Sequence, residues 1–223
     1  MDLDFADAPR PVRLSLLSGR GHYQEVIAAV LSARTSVWIG TANLKELYVE
    51  SRPGLGRRRG RGGYHSVLAD LIALADRGVE LRILHARAPS QAFVAELKRH
   101  KPPPSFELRA CPRVHLKAVV VDGQHLYLGS ANWTGAGLGA KGEGRRNFEI
   151  GVWTEDEATL DRVQSVYDQI WRGLECRGCK LREICPAPLD GGDGRLKTAP
   201  AKKSSAKKAP ARRGRARAAR ART

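Results

Sequence analysis

Hydrophobic positions in the first hundred residues switch repeatedly between a two-residue and a 3.6-residue repeat, the periods of strands and helices. Val12–Leu17 alternates and predicts a first strand. Tyr23–Ala33 carries Val26, Ile27, Val30 and Leu31 at helical spacing. Thr35–Gly40 is β-rich and predicts a strand. Tyr64–Arg77 predicts a helix through Val67, Leu68, Leu71, Ile72 and Leu74, with Gly78 placed for a left-handed cap. Val79–His85 alternates as a strand. Ser90–Arg99 predicts a helix that Ser90 caps and the prolines at 102, 103 and 104 stop. Strand and helix thus alternate three times, the order expected of an α/β layer with a mixed, largely parallel sheet.

The pattern then changes. A short strand is expected near Phe106–Arg109, and Val114–Asn132 reads as two strands joined at Asp122-Gly123, a strong hairpin signal. Asn147–Thr154 predicts another strand and Glu155–Leu174 a long amphipathic helix. Two segments have nothing to pack. Residues 51–63 read as a loop that contains Arg52, Arg57, Arg58, Arg59 and Arg61, either a mobile solvated insertion or a flap that grips phosphate. Residues 187–223, rich in Ala, Lys, Arg, Pro and Gly, are expected to be disordered.

The hairpin gathers the chemistry. A two-residue turn at Asp122-Gly123 sets His115 opposite Ser130, with Asn132 one diagonal step away; a turn at Gly123-Gln124 sets His115 opposite Asn132 and Lys117 opposite Ser130. Either register puts all four on one face, whereas a three-residue turn does not. An imidazole can attack phosphorus, and an ammonium, a hydroxyl and an amide can donate to phosphate oxygens. The alternative is a set of edge-strand polar residues beside a chance hairpin. Asp122 points away from His115 by alternation and suits a turn, so it is expected to be structural.

The run His115-x-Lys117-x4-Asp122-x6-Gly129-Ser130-x-Asn132 resembles the signature of the phospholipase D superfamily, with Asn147-x-Glu149 resembling its second patch. The resemblance implies a phospholipase D-like α-β-α sandwich over residues 1–174 and a covalent phosphohistidine. His115 would be the nucleophile, Lys117 and Asn132 would bind phosphate, and Ser130 would contact the phosphate or orient the site. Glu149 would accept from the second imidazole nitrogen of His115. Catalysis in the superfamily uses two such motifs, and this chain has one. Single-motif relatives, the bacterial phospholipase D-like nucleases and the mitochondrial cardiolipin hydrolase type, meet the requirement as homodimers, which implies two copies of His115 across one pocket. No metal is needed for that chemistry.

Charge narrows the partners. The net charge is +16, and residues 195–223 hold twelve Lys or Arg and no acid, leaving only +4 for the rest. A polyanionic partner follows, nucleic acid or an anionic membrane surface, although a solubilising tail has the same composition. No run approaches the roughly 18 apolar residues of a membrane span, and the acidic start MDLDFADAPRPVRL lacks the apolar core of a secretory signal. The expected compartment is therefore the cytoplasm, where four cysteines argue against a disulfide framework. In residues 175–186, Cys176-x2-Cys179-x5-Cys185 suits a zinc or iron–sulfur site, with Cys111 or a histidine as fourth ligand. A redox pair at Cys176/Cys179 and simple buried thiols are the alternatives. Three functions remain: a nuclease-like phosphodiesterase, a phospholipase acting on anionic phospholipid, and a nucleic-acid-binding protein with a vestigial site.

Overall fold

Ser36–Thr41 (β2) is buried on both faces, which makes it a central strand. Val37 and Ile39 turn to one side, Trp38 and Gly40 to the other. In the computed structural model, which describes residues 3–50 and 63–191, β2 lies in a seven-stranded sheet. The other strands are β1 (Ser15–Ser18), β5 (Glu80–His85), β6 (Phe106–Ala110), β7 (Lys117–Val121), β8 (His125–Gly129) and β9 (Ile150–Thr154), in the order β1-β9-β8-β7-β2-β5-β6. Only the pairs β2–β5 and β5–β6 are parallel. The pairs β1–β9, β9–β8, β8–β7 and β7–β2 are antiparallel. The expected α/β class holds, but the largely parallel sheet does not. Helical crossovers make the first half parallel, and the Asp122-Gly123 hairpin turns the second half back on itself.

Helices cover both faces. The helical turn Tyr23–Ile27 with α1 (Ala28–Leu31), α2 (Val67–Asp76) and α3 (Gln91–His100) pack Val26, Val30, Leu68, Leu71 and Phe93 onto the face that bears Ile39, Ile83 and Val119. On the other face, α4 (Glu157–Trp171) packs Leu160 against Val120 and Leu126, and Tyr167 and Trp171 against Leu84. Ser66, Ser90 and Asp156 cap α2, α3 and α4 by accepting from Leu68, Phe93 and Thr159 N–H. Gly78 takes the expected positive φ, +92°.

Two boundaries differ markedly from expectation. Tyr64–Ser66 belongs not to α2 but to a short strand, β4, that pairs with β3 (Tyr48–Glu50). The arginine-rich segment lies between these two strands, and residues 51–62 are outside the described residues, so Arg52, Arg57, Arg58, Arg59 and Arg61 are too. Packing also continues past Pro186: Leu189 is buried with Val114, Tyr167 and Trp171. The remainder of the basic tail, from residue 192, is outside the described residues.

The turn between β7 and β8 has three residues, Asp122, Gly123 and Gln124, because Val121 pairs with His125. Asp122 has φ +55°, and its carboxylate explains why the chain holds that shape. It accepts from the N–H groups of Arg34 (3.0 Å), Thr35 (2.8 Å) and Ser36 (3.0 Å) and from the Thr35 hydroxyl (3.0 Å), closing the start of β2 onto the hairpin. Burial pushes this carboxyl up, but the backbone donors of Ser36, Thr35 and Arg34 outweigh it and hold it below its ordinary range.

Candidate active site

The site lies where β2 ends and β7 begins. Thr41 at the last position of β2 pairs with Lys117 at the first position of β7 and with His85 at the end of β5. In open α/β sheets, ligands gather outside such carboxyl ends. Cys111 N–H donates to the His85 carbonyl (2.8 Å) and Val114 N–H to the Cys111 carbonyl (3.0 Å). This turn buries Val114 and delivers His115 to the surface, where it is exposed. Lys117 Nζ donates to the His115 carbonyl (2.9 Å) and lies 3.1 Å from Nδ1 and 3.2 Å from Nε2. Burial lowers the Lys117 pKa, and the nearby Glu149 carboxylate offsets part of that.

The observed three-residue turn is the one that defeats a face-by-face pairing of His115 and Lys117 with Ser130 and Asn132. Other contacts assemble the group. The chain leaves β8 at Gly129, and Ser130 pairs instead with Ile150, donating its N–H to the Ile150 carbonyl (3.0 Å) and accepting Ile150 N–H on Oγ (3.1 Å). Asn132 crosses to the end of β2. Its Oδ1 accepts from Ala42 N–H (3.1 Å), Asn43 N–H (3.0 Å) and the Thr41 hydroxyl (3.3 Å). Two backbone donors on one side of the amide fix which atom is oxygen, and leave Nδ2 as the donor available to a ligand.

Glu149 is placed differently from expectation. Ser130 Oγ donates to its Oε2 and Asn147 Nδ2 donates to its Oε1 (3.0 Å), and among the described residues no bond runs from Glu149 to the His115 ring. Glu149 therefore orients Ser130 and faces the Lys117 charge within one chain. Asp122 sits just past the opposite end of β7 from Lys117.

Sequence reasoning missed two supports. Thr41 is buried, and besides its bond to Asn132 its Oγ1 accepts Trp133 N–H (2.9 Å). A lone threonine just past the predicted strand end carries no pattern that marks it. Tyr127 is buried, and its hydroxyl accepts Ala131 N–H (3.2 Å), holding the segment between Ser130 and Asn132; burial pushes its pKa up to about 12. Its side chain lies over the paired glycines Gly129 and Gly151, where an added methyl would overlap the hydroxyl and the Gly151 backbone at Gly129 and the ring at Gly151. That overlap gives Gly129 of the motif a steric reason.

Residues 26–171 match the family model described as cardiolipin synthase, PLD-like domain. The chain belongs to this phospholipase D-like family. Two solved structures share its fold. NucT from Helicobacter pylori superposes with a TM-score of 0.52 at 19% identity, covering 71% of this chain and 95% of that one. Nuc from Salmonella typhimurium, a phospholipase D family member, gives 0.50 at 18% identity, covering 72% and 95%. No curated protein sequence matches the chain significantly.

Two further features of this phospholipase D-like domain adjoin the site. Phe148 and Ile150 flank Glu149 and are exposed, and Leu16 is exposed on the same face of the β1–β9 ribbon as Ile150. The four cysteines line one cavity together with His115, and none is in a disulfide. Among the described residues, however, no three His, Cys, Asp or Glu side chains stand close enough to hold a single ion, so the expected set Cys176, Cys179 and Cys185 does not form a closed mononuclear site. Among the described residues, no helix is long and apolar enough to cross a membrane.

Proposed function

We propose that the chain is a phosphodiesterase that cleaves nucleic acid through a covalent phosphohistidine, as a homodimer in the cytoplasm. The observation that carries this reading is the exposed His115 ring beside the Lys117 ammonium, with the Asn132 amide oriented by β2 to donate. A phosphate entering this corner meets a nucleophile and two donors. His115 attacks phosphorus and the P–O bond to the leaving alkoxide breaks. His115 of a second copy gives the alkoxide its proton. Water then attacks the phosphohistidine, the second imidazole takes back a proton, and the phosphomonoester leaves. Lys117, Asn132 Nδ2 and Ser130 stabilise charge on the non-reacting oxygens. No step needs a metal.

The exposed apolar fringe of Phe148, Ile150 and Leu16 supports the second copy, since an apolar patch beside a charged site marks a surface that another surface covers. The same fringe favours a second reading, a phospholipid substrate seated with its chains against these residues. The arginine-rich segment between β3 and β4 favours nucleic acid. Its clustered arginines, Arg57, Arg58, Arg59 and Arg61, are the residue type that neutralises backbone phosphates.

The experiment offers single-stranded DNA, RNA, double-stranded DNA and cardiolipin vesicles to the wild type and to His115→Ala, with chelator present. We expect cleavage of at least one nucleic acid by the wild type alone, falling steeply with salt. Cleavage of cardiolipin alone would select the lipid reading. Full activity in His115→Ala would sink both. Light scattering at micromolar concentration should find a dimer.

A further inference from the structure

Cys111, Cys176, Cys179 and Cys185 take no part in the phosphoryl chemistry, yet all four are half-buried around one cavity of about 420 Å³. Two distant pieces of chain meet there. Cys111 opens the turn that delivers His115. The other three lie on a strap after α4, folded by consecutive tight turns: Cys176 N–H to Gly173 carbonyl (2.9 Å), Cys179 N–H to Cys176 carbonyl (3.2 Å), Arg182 N–H to Cys179 carbonyl (3.0 Å) and Cys185 N–H to Arg182 carbonyl (3.2 Å). The strap has little hydrophobic reason to fold. Within 175–191 Leu189 is the one buried apolar side chain among the described residues, and Ile184 is 78% exposed.

We propose that the four thiolates ligate an iron–sulfur cluster that ties this strap to the turn before His115. Spacing favours a cluster over zinc. Iron–sulfur sites combine a close run of cysteines with one remote ligand, as Cys176-x2-Cys179-x5-Cys185 with Cys111 does. Zinc sites pair cysteines in short knuckles, and Cys111 has no neighbour of that kind.

The four thiols come from two distant pieces of chain and line one cavity, so a ligand larger than a single ion would join the two pieces. Arg113 lines the same cavity and opposes the negative charge of the thiolates, while Arg182, also in the lining, is paired with Asp190.

The full-length chain, purified without oxygen or reconstituted with ferrous iron and sulfide, tests this. It should contain iron and acid-labile sulfide in equal amounts, with broad visible absorption that dithionite bleaches. Cys111→Ser and Cys179→Ser should each lose most of the iron and sulfide while keeping the wild-type circular dichroism spectrum. His115→Ala should keep the cluster, which separates this result from any outcome of the activity assay. On the folded wild type, a thiol reagent should find the cysteines protected until the cluster is stripped. Zinc in place of iron, no iron after reconstitution, full cluster content in Cys111→Ser, or four reactive thiols before stripping would each overturn the proposal.

Discussion

Replacing Asp122 separates its structural work from any catalytic work, although it stands inside the motif that carries the chemistry. Its carboxylate receives three backbone N–H groups and one hydroxyl from residues 34 to 36, nearly all on Oδ1. A hydrogen bond to a charged group contributes about 1.5–3 kcal/mol net. The Arg34 and Thr35 contacts are solvent-exposed, so water replaces part of what Asp122→Ala removes. Alanine also sits poorly at φ +55°, at a cost of about 1–2 kcal/mol. Together these give about 3 kcal/mol for Asp122→Ala. Asparagine keeps an Oδ1 acceptor and tolerates the left-handed conformation, so Asp122→Asn should cost about 1 kcal/mol. The pH dependence adds a second signature. Because the folded carboxyl lies below its unfolded value of about 3.9, its stabilisation is complete above that pH and is lost as pH falls through the folded value. Asp122→Asn should flatten the stability curve in that acid range. Urea unfolding at several pH values measures both effects, and turnover of a phosphodiester at pH 7 measures the rest. Asp122→Ala within about 0.5 kcal/mol of wild type, a range typical of neutral surface changes, would refute the structural role. So would an Asp122→Asn chain that is stable but inactive.

Three other outcomes follow from the site. Asn132→Asp keeps the oxygen that β2 binds but loses the Nδ2 donor and adds negative charge, so kcat/KM should fall about 10²–10³-fold with little loss of melting temperature. Gly151→Ala drives a methyl into the Tyr127 ring and should cost about 1–3 kcal/mol in urea unfolding; a neutral result would mean the ring moves freely. Burial lowers the His85 pKa, so the unfolded chain gains a proton first as pH falls below about 6.5, and stability should decline from there. His85→Asn should flatten the urea midpoint between pH 7.5 and 5.5.

Local pattern was enough for most of the elements and for naming the residues of the candidate site. Val37, Ile39, Leu81 and Ile83 alternate, so β2 and β5 were readable as strands. The spacing from His115 to Asn132 is a property of the chain itself, and so was the likeness to phospholipase D. The direction of the second half of the sheet was not readable, because pairing β7 with β2 depends on which edges are already occupied when the hairpin docks. The turn length between β7 and β8 was missed for a related reason: Asp122 adopts its left-handed shape only with residues 34–36 in place, nearly ninety positions away. Thr41 and Tyr127 were invisible as supports, since a buried hydroxyl acquires its role from the backbone that arrives opposite it. Residue identity and spacing determine what a short segment can do chemically. Only tertiary structure decides which distant donors and acceptors complete it, because a hydrogen bond acts over about 3 Å while its partners lie anywhere along the chain. That is why Asn132 is oriented by Ala42 and Asn43, and why Cys111 faces cysteines that follow the last helix.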